Sequence, residues 1–152
     1  MTEGVLAQQK PLKDQLVGAW TLVSFDIFDA SGTKTPNMEG GNLKGMLIFT
    51  DNGRVSLQII AQIAKLASND RLKTTPTEDK AVAHGVLTYF GTYTVNEADK
   101  TISYRIETSS FPNQVTGKEA KRSVTLTGDE LKIDNPGRTA GGRTVMVWRR
   151  VK

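Results

Sequence analysis

The chain carries a single histidine, His84, and no cysteine. Those two counts already narrow its chemistry. Without cysteine there is no disulfide, no thiolate–metal site and no thiol nucleophile. One histidine does not build a typical multi-histidine metal site, but it can work alone as an acid or base. A serine nucleophile would have to rely on that same histidine. The sequence also lacks a Gly-x-Ser-x-Gly elbow, a phosphate-binding loop and the Rossmann glycine fingerprint. Neither a metal nor a cofactor is therefore expected. His84 falls beside Gly85 on a helical segment that could lid one end of the fold. A surface or packing role is the plainer reading for it.

The side chains best suited to meet a ligand sit on segments of period two. Arg122 shares its parity with Val124 and Leu126, so an inward apolar face would turn Arg122 inward as well. An inward guanidinium needs a carboxylate, a carbonyl or an anionic ligand. Arg122 is thus the first candidate for orienting a ligand. A ladder contact or an exposed position near a strand end is the plainer alternative. Tyr89, Tyr93 and Tyr104 fall on apolar strand faces, where phenols make apolar walls with polar tips and suit small aromatic ligands. As core packing they need no ligand. Gln58 and Asn113 could add amide contacts, although Asn113 follows Pro112 and also suits a turn. Among carboxylates near the strands, Asp26 reads as sharing a face with Trp20, Leu22 and Phe28. No acid–base pair has a motif behind it.

Strands must hold these groups, and the pattern supplies eight. They read as Ala19–Phe28, Gly45–Thr50, Arg54–Ile60, Thr88–Val95, Thr101–Thr108, Glu119–Thr127, Glu130–Asp134 and Arg143–Val151. Ile102, Tyr104 and Ile106 share a face of the fifth, and Val145, Val147 and Val151 alternate on the last. Asp51-Asn52-Gly53 is a strong hairpin signal, because such turns require positive φ. Residues 35–44 read as a glycine-rich loop. Pro11–Val17 reads as a short helix ended by Gly18. A second helix over 77–87, capped by Thr77 and acidic in its first turn, interrupts the β pattern and would cover one end. Sequential strands with short links favour an up-and-down antiparallel meander, and eight of them can close into a barrel that removes its own edges. The chain is read as one domain, 11–152, behind a flexible segment 1–10.

Net charge is +4, from 20 basic and 16 acidic residues, and the surplus is scattered. Only Arg149, Arg150 and Lys152 cluster, which falls short of the basic stripe with interleaved aromatics that nucleic-acid binding wants. No apolar run is long enough for a signal core or a membrane helix, so a cytoplasmic protein without a membrane partner is expected. A homodimer is left open.

Gly18-Ala19-Trp20, opening the first strand after a helical turn, resembles the Gly-x-Trp signature of lipocalins and other calycins. The wider stretches Leu16–Phe25, Gly45–Ser56, Tyr89–Val95 and Phe111-Pro112-Asn113 resemble, in order, the bacterial lipocalin-like domain family, over about residues 12–151. Gln114 stands where that family often has Trp. The resemblance implies an all-β, eight-stranded antiparallel barrel with one inserted helix. It also implies that Trp20 plugs one end, under a basic residue of the last strand, Arg149 or Arg150. It carries no general activity. The expected function is binding of a small hydrophobic or aromatic molecule inside the barrel. The rivals are an isomerase or cyclase of secondary metabolism using the same cavity, and a filled barrel that acts through its surface.

Overall fold

A computed structural model describes residues 10–152. The expectation of a flexible 1–10 falls, apart from Lys10, outside the described residues. The elements are α1 (Leu12–Leu16), β1 (Gly18–Phe28), β2 (Lys34–Thr35), β3 (Lys44–Phe49), β4 (Arg54–Ile60), α2 (Pro76–Gly85), β5 (Val86–Asn96), β6 (Thr101–Ser109), β7 (Ala120–Thr127), β8 (Glu130–Asn135) and β9 (Arg143–Arg150). Antiparallel neighbours run β1-β3-β4-β5-β6-β7-β8-β9, and β9 pairs back onto β1. Eight strands thus close a barrel. The sequence pattern does not mark the two-residue β2, whose Thr35 falls within the segment read as a glycine-rich loop. This strand pairs with Ile27 and Phe28, along the part of β1 that β3 does not reach.

Alternation explains which face each strand buries. On β4, Val55, Leu57 and Ile59 are buried while Arg54, Gln58 and Ile60 are exposed. On β6, Ile102, Tyr104 and Ile106 turn inward. Gly53 takes φ +87° in the β3–β4 turn, as the Asn-Gly signal requires. Gly91 answers a different need. A Cβ there would stand 2.0 Å from the Arg105 carbonyl oxygen of β6, so only glycine lets the two strands approach at the irregularity that follows Phe90.

One end of the barrel is closed by α1, which buries Leu12 and Leu16. The backbone N–H groups of Leu12 and Lys13 donate to Glu97 in the β5–β6 turn, at 2.8 and 3.0 Å. These satisfy helix-start donors that have no partner inside the helix. Trp20 is fully buried, and its indole N–H donates to the Leu16 carbonyl at 2.9 Å. The Arg150 guanidinium lies 4.3 Å from the Trp20 ring centroid, while Arg149 faces solvent. Gly18, at φ +128°, makes the turn from helix to strand.

Three readings need correction. The register of β1 against β9 slips between Leu22 and Ser24. That bulge reverses the parity, so Phe25 and Ile27 are buried and Asp26 turns outward to Lys34, at 3.0 Å. On β9 both parities are apolar, and the inner face belongs to Thr144, Met146 and Trp148 rather than to the valines. Helix α2 starts earlier than expected. Thr75, not Thr77, is the cap, forming a capping box with Glu78 behind Pro76. The chain has returned to strand by Val86.

Candidate functional site

A cavity of about 400 Å³ opens at the barrel end opposite α1. Its mouth is framed by Met38 of the β2–β3 loop, Ala83 and His84 at the end of α2, Phe111, Asn113, Gln114 and Lys118 of the β6–β7 loop, and Arg138 of the β8–β9 loop. Its walls are Phe25 and Ile27 of β1, Leu57 of β4, Leu87 of β5, Ile106 of β6 and Met146 of β9. Deeper in stand Tyr89, Tyr104, Arg122 and Trp148.

Arg122 is 8% exposed. Its guanidinium has neither a hydrogen bond nor an ion pair among the described residues. Its closest defined partner is the Tyr104 ring, with the guanidinium carbon 5.3 Å from the centroid. The hydroxyls of Tyr89 and Tyr104 likewise find no acceptor among the described residues, and both side chains line the cavity. Burial pushes the Tyr89 phenol above its ordinary value, and the Arg122 charge works against that rise. Burial pushes Tyr104 well above, with a further push from Tyr89 and a counter-effect from Arg122. Both are therefore protonated at neutral pH and offer O–H donors. No aspartate or glutamate stands among the described lining residues, whereas Arg122, Lys118 and Arg138 do. The cavity is rich in donors and positive in charge.

The other sequence candidates are placed differently. Tyr93 is buried, but its hydroxyl donates to the Thr50 carbonyl at 2.6 Å and its ring meets Phe49 edge-on at 4.9 Å. It braces the aromatic packing and is not among the lining residues. Gln58 lies on the outer face of β4, between inward Leu57 and Ile59, and borders an outer groove with Met46 and Ile60. Asn113 sits in a single 3₁₀ turn, Pro112–Gln114, at the mouth. His84 is also at the mouth. Its Nδ1 is 2.9 Å from Glu39 Oε1, a contact that holds the Glu39 carboxyl below its usual range.

The cavity also recruits residues that carried no sequence signal as site residues. Met38, Lys118 and Arg138 lie on loops, and only chain closure brings them to one rim. Trp148 was legible only as a neighbour of Arg149. Its parity puts it on one face with Thr144 and Met146, but the valines of the other face are as apolar, so alternation alone does not turn it inward. Its indole N–H is the one fully buried side-chain donor without an acceptor among the described residues. Among those residues no group of three metal-ligating side chains occurs, and no helix is long and apolar enough to cross a membrane.

The description "Lipocalin-like domain" matches residues 17–151. No curated protein matches the sequence. Among solved structures, the chain is similar to fatty-acid-binding protein 1 of Echinococcus granulosus, at 15% identity over 91% of this chain and 99% of that one, with a TM-score of 0.44. It is similar also to the wild-type fluorescent protein UnaG, at 14% identity over 92% of this chain and 100% of that one, with a TM-score of 0.43.

Proposed function

Since the chain belongs to the lipocalin-like domain family, we propose that its barrel binds one small, largely aromatic molecule bearing an anionic group, with Arg122 holding that group. The observation that carries this reading is a buried arginine whose guanidinium has no counter-charge among the described residues and faces a cavity. Burying a charge without a partner is strongly unfavourable, and an oxyanion would offset the cost through charge-assisted hydrogen bonds. The Tyr89 hydroxyl adds a neutral donor to the same oxyanion. Phe25, Tyr89, Tyr104, Phe111 and Trp148 give the lining a high aromatic content, which suits edge and face contacts with a planar ligand. At the packing density of protein interiors, the space accommodates roughly fifteen to twenty non-hydrogen atoms. Asn113, which borders the mouth, would contact the outer end of such a molecule.

An isomerase or cyclase using the same cavity is the alternative. It needs a group that takes a proton. His84 is the one imidazole along the described lining, and it stands at the mouth in contact with Glu39. An interior made of donors favours holding an anion over moving a proton.

The test is quenching of the tryptophan and tyrosine fluorescence by a panel of aromatic acids, with Arg122→Ala as the comparison. Native mass spectrometry of the freshly purified protein, run alongside, looks for a ligand carried through purification. Saturable binding that weakens at least tenfold in the variant is expected. Equal affinity in both proteins would remove Arg122 from the site.

A further inference from the structure

We propose that Tyr104 is the positioning residue of this site, and that its ring face rather than its hydroxyl seats the Arg122 guanidinium where an oxyanion can meet it. The inference rests on the reading of Arg122 as the anion contact. Arg122 has no carboxylate or carbonyl partner among the described residues, so no polar contact there fixes where it points. It has the Tyr104 ring, 5.3 Å away. Strand register puts the two together. Ile102 pairs with Arg122 and Tyr104 with Ala120, so Tyr104 and Arg122 are diagonal neighbours on the inner face of β6 and β7.

The ring is itself held in place. Tyr104 is 2% exposed, with the Phe49 and Tyr89 ring centroids each 6.3 Å from its own. Phe49 in turn meets Tyr93, whose hydroxyl is tied to the Thr50 carbonyl. A row of braced aromatics therefore ends under the guanidinium. A cation is attracted to an aromatic face by the ring quadrupole, which phenylalanine also supplies and an aliphatic side chain does not. A guanidinium already seated loses less freedom when it takes a carboxylate.

Calorimetric binding of 2-naphthoic acid and of its neutral, nearly isosteric amide, 2-naphthamide, tests this in the wild type, Tyr104→Phe and Tyr104→Leu. The preference for acid over amide isolates the charge contact, because a general loss of packing weakens both ligands alike. The wild type is expected to prefer the acid by about tenfold or more, as a charge-assisted contact should. Tyr104→Phe should keep that preference to within about twofold, and Tyr104→Leu should lose about tenfold of it. Tyr104→Met is carried in parallel in case leucine packs poorly, since methionine adapts to irregular core space. Tyr104→Phe alone separates ring from hydroxyl. Loss of the preference in Tyr104→Phe, or its survival in both aliphatic variants, would overturn the proposal. A wild type that binds acid and amide equally would instead defeat the reading of Arg122, and this inference with it.

Discussion

Replacing Arg122 with methionine should make the ligand-free protein more stable, although it removes a buried side chain that touches the core. Arg122 as a residue is 8% exposed, and its guanidinium lacks a counter-charge among the described residues. Exchanging buried ionic groups for well-packed apolar ones is neutral or stabilising by about 1–4 kcal/mol even where the ions are paired. Against this stands the loss of the contact with the Tyr104 ring, worth about 0.5–2 kcal/mol. The net expectation is a gain of about 1–2 kcal/mol, which for a domain of this size raises the melting temperature by roughly 2–8 °C. An acid that binds the wild type reverses the order. Ligand present at a hundred times the wild-type dissociation constant stabilises the wild type by about 2.7 kcal/mol, and a variant that binds a hundredfold more weakly by only about 0.4 kcal/mol. Thermal unfolding of both proteins, with and without 2-naphthoic acid, should therefore show two curves that exchange places. An Arg122→Met protein that melts below the ligand-free wild type would refute the reasoning, because it would mean that the charge is already compensated within the protein.

Other expectations follow from the closed end and the wall. Trp20→Ala removes a fully buried indole, its hydrogen bond to Leu16 and the seat of Arg150, and should lower stability by about 3–5 kcal/mol in urea titration. The Glu97 carboxyl is held below its ordinary value of 4.5 chiefly by the backbone N–H groups of Lys13 and Leu12. A depressed carboxyl stabilises the fold above its unfolded pKa and loses that contribution as pH falls through the folded one. Wild type should thus exceed Glu97→Gln in stability at neutral pH, with the gap closing as the pH drops below 4.5. A gap independent of pH would contradict the assignment. Gly91→Ala should destabilise by about 3 kcal/mol, since its Cβ meets backbone rather than a movable side chain. The check is chemical denaturation with an unchanged m-value.

Much of the fold was legible because alternation is strong where one face is apolar and the other is not. Val55, Leu57 and Ile59, or Ile102, Tyr104 and Ile106, leave no ambiguity about the inner face. The reading went astray where that contrast fails. On β9 the valines compete with Met146 and Trp148, and parity cannot choose between two apolar rows. On β1 a bulge inserts one residue, and bulges have no reliable sequence mark when no glycine makes them. Arg122, Tyr89 and Tyr104 share the inner face because strand parity is local information. The rim is not local. Met38, Lys118 and Arg138 come from loops far apart in the chain, and their meeting depends on closure of the whole barrel. Gln58 could have been excluded from the interior, since its two neighbours on β4 claim that face.

The wall of this barrel is unevenly fastened. β1 shares eight paired positions with β9 but only four with β3, all in its first residues. Beyond Thr21, the free side of β1 is held by the two pairs of β2 and by the Asn37 amide, which donates to the Phe25 carbonyl. Local opening draws on the segments with the fewest cooperative contacts. One weak line of the perimeter therefore runs beside Phe25 and Ile27, which line the cavity, and the four-pair seam of β6 and β7 is another. Parting the first breaks a handful of bonds and leaves the ladders of β4 to β9, and the plug under Trp20, intact. The barrel wall is thus most sparsely laddered beside its cavity, where local opening would widen the mouth without melting the rest of the fold.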